Sequence, residues 1–205
     1  KNSYRVLPYT FSDIIIDNKD FIYTATDTVN RGQIKKLNPG AGSNILGSDA
    51  VSFVDNGVNR TFNGDGTPLK QQITGIEVDD NEFIYALDIT FGRVFVYDAE
   101  CRMLTAFGGG IGAGTQEGTF QTASSIAIKD LKDDNGKTIG NQILVADKAN
   151  NTLTVFQRND YGNMVMELTR LTIDGDYVES RDGWEEVLKL DKNLQVAYTG
   201  LARAY

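Results

Sequence analysis

The sequence predicts a mainly-β chain, a partial β-propeller of about three four-stranded blades, with a C-terminal α-helical segment. Two observations predict it. Three stretches of the 205-residue chain repeat one pattern of alternating apolar residues and Asx turns. After Tyr161-Gly162 the apolar period then changes from two to helical spacing. The division that follows is 1–163 for the blades and 164–205 for the helices.

The first unit runs from Phe11-Ser12-Asp13-Ile14-Ile15-Ile16-Asp17 through Phe21-Ile22-Tyr23-Thr24-Ala25 to Gln33-Ile34-Lys35-Lys36-Leu37. The second reads Thr74-Gly75-Ile76-Glu77-Val78-Asp79, then Phe83-Ile84-Tyr85-Ala86-Leu87-Asp88, then Arg93-Val94-Phe95-Val96-Tyr97-Asp98. The third reads Ser125-Ile126-Ala127-Ile128, then Ile143-Leu144-Val145-Ala146-Asp147, then Thr152-Leu153-Thr154-Val155-Phe156, with Leu131 to Gly140 inserted. Alternation of β-branched and aromatic residues with polar ones is what a half-buried strand needs. Asp17 to Asp20 and Asp79 to Asn81 are Asx-rich and can close hairpins by bonding the backbone two residues on. A fourth strand is expected at Arg102 to Phe107 and is less clear in the other units. Meanders repeated in this way form propellers, whose blades bury their faces against one another.

Composition removes several functions. With no His, the chain cannot itself build a Ser-His-Asp or Cys-His nucleophile or a His-ligated zinc site. A net charge of −8 and a pI near 4.6 argue against nucleic acid as a partner, since phosphate binding needs clustered Lys and Arg. The lone Cys101 has no disulfide partner in the chain and is expected as a partly exposed thiol in a turn. No apolar run reaches the ~18 residues of a membrane helix. The chain starts at Lys1 rather than methionine and stops at Tyr205 inside a helical pattern, which reads as part of a longer protein.

Thr74 to Gly110 carries Gly-Ile-x-Val-Asp, Ile-Tyr-x-x-Asp, Val-x-Val-Tyr-Asp and Phe-Gly in succession. This wording resembles NHL repeats, and the resemblance extends over roughly residues 11–160, departing at Asp13, where Gly is usual. Gly175 to Asn193 resembles the middle of a tetratricopeptide repeat, and Ala197 to Ala202 the start of the next. It departs at Gly183, where Gly in a helix costs about 1 kcal/mol, and at Lys192, where Pro is usual. Trp184 and Tyr177 are expected between the helices. The pairing resembles bacterial NHL/TPR proteins anchored by a Yip1-type membrane domain. That resemblance implies an extracytoplasmic module at the bacterial cell membrane, with any membrane contact made by segments outside this chain.

Candidate ligand contacts are Asp27, Arg31, Asp88, Arg93, Asp147, Asn150 and Asn151, which recur near the second hairpin of each unit. Recurrence in each unit fits a hairpin-closing role, and hairpins that face one end of a propeller fit a binding rim. No catalytic or cofactor-binding residue is assigned. The acidic loops at Asp17, Asp79 and Asp130 fit Asx turns, or a weak Ca²⁺ site without EF-hand spacing. The glycines of Phe107 to Thr115 lead into a strand rather than a helix, so they fit an inter-blade connection better than a phosphate cradle.

The expected function is non-enzymatic binding or scaffolding with a protein, peptide or glycan ligand. The alternative is a Ca²⁺-dependent hydrolase or lyase of the six-bladed propeller type. A closed ring takes ~4 to 8 blades, so about three blades leave it open. Missing blades, a homodimer that completes the ring, or cover by the helices would each resolve this.

Overall fold

Four residues of this chain, Asp17, Asp79, Asp98 and Asp133, each start the same hairpin loop. In the computed structural model, which describes residues 10–27, 33–46, 71–109 and 116–205, the Oδ1 of each accepts the amides two and four residues on. The donors are Lys19 and Phe21, Asn81 and Phe83, Glu100 and Arg102, and Asn135 and Lys137, all at 2.8–3.0 Å. The fourth loop residue, Asp20, Glu82, Cys101 or Gly136, takes a positive φ of 61–79°. Its amide returns to the Asp carbonyl at 2.8–3.1 Å. A short polar side chain that mimics a backbone turn, followed by one left-handed residue, gives a tight antiparallel hairpin.

Among the described residues these hairpins generate three antiparallel sheets, of three, four and three strands. The first holds β1 (Asp13–Ile16), β2 (Ile22–Ala25) and β3 (Ile34–Leu37). The second holds β4 (Ile73–Val78), β5 (Ile84–Asp88), β6 (Arg93–Tyr97) and β7 (Met103–Gly108). The third holds β8 (Ala123–Lys132), β9 (Thr138–Asp147) and β10 (Thr152–Gln157). Among the described residues a fourth strand therefore appears only in the second sheet, and the sheets do not close a ring. The inserted stretch of the third unit lengthens β8 and β9 to 10 residues each, around the Asp133 turn.

The sheets stack face to face, with β4 beside both β1 and β8. Along each middle strand alternate residues point to opposite faces, and the second sheet, between the other two, is buried on both. Tyr23, Ala25 and Ile34 of the first sheet meet Ile76, Ile84, Ala86, Phe95 and Tyr97 of the second. The other face of the second sheet, with Tyr85, Leu87, Val94 and Val96, meets Ile126, Ile143, Val145 and Phe156 of the third. Polar ties cross the first seam: Ser12 Oγ donates to the Ile73 carbonyl at 2.8 Å, and Lys36 Nζ pairs with Glu82 at 2.8 Å. Lys19 pairs with the same Glu82 carboxylate.

The helices are α1 (Asp160–Asp174), α2 (Tyr177–Leu190) and α3 (Gln195–Ala204). Helix α1 starts at Asp160, ahead of the boundary that the sequence places at 164, because Asn159 caps it by accepting the Gly162 amide at 2.9 Å. Trp184 is fully buried, and its Nε1 donates to Thr172 Oγ1 at 2.9 Å. Tyr177, in contrast to expectation, is exposed at the first position of α2. Gly183 and Gly200 are there for close approach: a Cβ at Gly183 would strike Leu168 of α1, and one at Gly200 would strike the Trp184 ring. The glycine that departs from a helix former in the repeat wording is thus a packing residue.

Cys101 corrects another expectation. It is buried in the core between the first two sheets, not partly exposed, packed with Tyr97 and Phe95 in that cluster. Burial, reinforced by the nearby Asp98 carboxylate, pushes its thiol up to about 12.

Candidate functional site

The rim residues divide into those that close hairpins and those that do not. Asp147 is buried and accepts the amides of Gln121, Thr122, Ala149 and Asn150 at 2.6–3.2 Å, with Asn150 Nδ2 at 2.9 Å. Burial alone would raise its carboxyl, but these amide donors more than offset it and hold it below the usual carboxylate range. Asp88 is likewise buried and accepts the Gln72 and Thr90 amides at 3.1 and 3.0 Å. Burial raises its carboxyl against those donors. Its other oxygen faces Arg93 Nη2 at 3.6 Å, and the Arg93 guanidinium sits between the Phe91 and Phe95 rings at 4.8 and 4.9 Å. Asn151 adopts φ 51° in the β9–β10 turn.

Asp27 is not the counterpart of these two aspartates. Phe21-Ile22-Tyr23 matches Phe83-Ile84-Tyr85, which sets Thr26 opposite Asp88. Buried Thr26 does the equivalent work, donating from Oγ1 to the Thr10 carbonyl at 2.6 Å. Arg31 lies outside the described residues, as do positions 110–115 of the glycine-rich stretch. The part that is described is sterically constrained: Gly108, at φ 102°, lies so close to the Gly92 carbonyl that a Cβ would approach it to 2.6 Å.

A second cluster lies where the helices leave the sheets. Asp79 Oδ2 accepts the Tyr85 hydroxyl and Asn141 Nδ2, each at 2.9 Å, and Arg158 Nη1 stands 3.8 Å away. Arg158 Nη1 donates to the Tyr85 hydroxyl at 2.7 Å, and its Nε donates to Asn163 Oδ1 at 3.1 Å. Burial pushes the Asp79 carboxyl up to about 6, against the Phe83 amide, the Tyr85 hydroxyl and the Arg158 charge. This network borders a cavity of about 420 Å³ between the second and third sheets and the helices. Val96, Leu104, Phe107, Ile143, Val165, Met166 and Leu194 supply its apolar lining, and Tyr85, Thr105, Arg158, Tyr161 and Asp191 its polar groups. The buried Tyr161 hydroxyl has no hydrogen-bond partner among the described residues. A concave apolar site with a few convergent polar groups is the usual form of a binding pocket.

A third feature lies on the first strands of two sheets. Asp13 of β1 reaches across to β4, where its Oδ2 accepts the Ile76 amide at 2.9 Å. Next to Ile76, Glu77 has neither a hydrogen bond nor an ion pair among the described residues. Burial, and then the Asp13 carboxylate, pushes its carboxyl up to about 7. No group of three or more acidic or Cys side chains suited to a metal ion occurs among the described residues.

Sequence reasoning found the Asp turns but missed the Arg158 cluster. A signal was there: Asp and Tyr six residues apart recur as Asp17 with Tyr23 and Asp79 with Tyr85. In both cases the phenol donates to the Asp carboxylate, at 3.1 and 2.9 Å. No helix of the described residues is long and apolar enough to cross a membrane. No protein-family model matches the chain, and no curated protein matches it.

Proposed function

We propose that the chain is a non-enzymatic binding or scaffolding module of the extracytoplasmic face of a bacterial cell. In this reading the three sheets are NHL-type blades of a partial propeller, and the helices are a tetratricopeptide-like continuation. A protein, peptide or glycan is the ligand. The observation that carries the reading is the 420 Å³ cavity between sheets and helices, mainly apolar, with Arg158, Tyr161, Thr105 and Asp191 among its polar groups. The four hairpin aspartates and Asp147 support it, because their carboxylates are already bonded to backbone amides and serve rigidity. An apolar side chain with an adjacent acceptor fits the cavity, the acceptor meeting the Arg158 guanidinium.

Arrays of immobilised peptides and glycans test the reading. Binding is expected that disappears in Leu104→Trp, which fills the cavity, while the melting temperature holds. Absence of any binder on both arrays would overturn it. The alternative, a Ca²⁺-dependent hydrolase or lyase, draws on one observation, the unpaired Glu77 carboxyl beside Asp13 on adjacent strands. Calorimetric titration with Ca²⁺ separates the two. Tight binding that is lost in Glu77→Gln favours the enzyme, and no heat favours the binding module.

A further inference from the structure

Each sheet has a face turned towards the preceding sheet and a face turned towards the following one, and the repeat assigns the same positions to them. Towards the following sheet, Val94 and Val96 of β6 are 0% and 3% exposed. Their counterparts in β10, matched through Asp88 and Asp147, are Leu153 and Val155, which are 60% and 51% exposed. Towards the preceding sheet, Ile76 of β4 is 1% exposed and Val78 packs in the same core. Their counterparts in β1 are Ile14 and Ile16, at 62% and 58%. Position for position, the sequence has written an interface at both ends of the stack, and among the described residues no sheet or helix packs on either. The helices do not cover them: α1 enters the core between the second and third sheets through Met166, and α3 reaches the β6–β7 loop through Arg203 and Glu100.

We infer that two copies of this chain close on one another, the β8–β10 face of each seating on the β1–β3 face of the other. The occupant follows from continuity with the interfaces inside the chain. The face that carries Val94 and Val96 is covered by a face that carries Ile126 and Ile143, and the latter's counterpart at the open end is the one with Ile14 and Ile22. The open following face of one copy therefore matches the open preceding face of another. It does not match itself, so the contact is head to tail, and such contacts end only by closing a ring. Two copies bring two sets of three sheets together. Six sheets fall inside the ~4 to 8 that close a propeller-type ring, and three fall short. Closure on a two-fold axis makes the two seams identical and leaves no apolar face open.

Sedimentation velocity of the chain from about 1 to about 100 μM tests this. The expected species is a pair of 22.5 kDa chains. Val155→Asp alters one face and Ile14→Asp the other, both at positions exposed in the single copy, so the fold of each should survive, as checked by circular dichroism melting. Each variant alone should lose association by on the order of 100-fold and run as a monomer, because both of its seams carry a buried charge. Mixed together, the two variants should form a one-to-one pair, since one of its two seams is then wholly unaltered. A monomer throughout the range would overturn the proposal. An open series of larger assemblies, or a dimer indifferent to both substitutions, would overturn it as well.

Discussion

Arg158 Nη1 donates to the Tyr85 hydroxyl at 2.7 Å across 73 residues of chain, joining the last residues before the helices to the middle of the second sheet. The same phenol donates to Asp79, whose loop closes the β4–β5 hairpin. Hairpin, sheet and helical segment are thus tied at one buried point, and removing the cation leaves a buried carboxylate uncompensated. Arg158→Met should cost about 3 kcal/mol in urea unfolding. Tyr85→Phe, which keeps the charge pair, should cost about 1 kcal/mol. A double-mutant cycle should return a coupling on the order of 1 kcal/mol, and zero coupling would show that the hydroxyl is not the bridge.

Glu77 gives a pH signature. Its carboxyl titrates near 7 in the folded protein and about 4.3 when unfolded. Between these values the folded state binds more protons, so the group's contribution is full below about 4.3 and is lost as pH rises through about 7. Glu77→Gln should therefore match the parent near pH 4 and exceed it at pH 8. The margin should be on the order of 1 kcal/mol once solvent screening of a half-buried group is allowed for. Melting temperatures across that range read the difference, and parallel curves would contradict it.

The hairpin aspartates should differ in cost according to burial. Asp98 is fully buried and also accepts Arg102 Nε at 2.7 Å, whereas Asp133 sits on an exposed loop. Asp98→Ala should cost about 2 kcal/mol and Asp133→Ala under about 1 kcal/mol. Chemical denaturation of the two variants side by side decides it.

Cys101 should be unreactive while the chain is folded. Its thiol is buried and raised to about 12, so at pH 8 very little thiolate is present. Labelling with a disulfide reagent should be slow in buffer and complete within minutes in strong denaturant. Fast labelling in buffer would place the side chain at the surface after all.

Trp184 is the one tryptophan of the sequence and is fully buried among the helices. Its emission should be blue-shifted and should report the helical segment separately from the sheets. Gly200→Ala forces a methyl against its ring. Overpacking of this kind costs about 1–3 kcal/mol, and a red shift should accompany it. An unchanged spectrum would mean that α3 does not pack there.

The repeats were legible because hairpins are local. Asp17, Asp79 and Asp98 bond amides within four residues, so the turn chemistry is written where it acts. Thr26 shows the limit: its place opposite Asp88 is set by strand register, and neighbouring Asp27 resembles the pattern without occupying it. The Arg158 cluster was hidden for the converse reason, since Asp79, Asn141 and Arg158 come from three distant segments.

The sequence alone determined the three sheets, the Asp turns, the change to helix and the absence of histidine chemistry, all matters of composition and local period. Tertiary structure decided which apolar positions are buried. Val94 and Leu153 are equivalent in sequence, but one has a sheet against it and the other does not. Burial depends on what lies across the face, and strand periodicity specifies a face without specifying its neighbour.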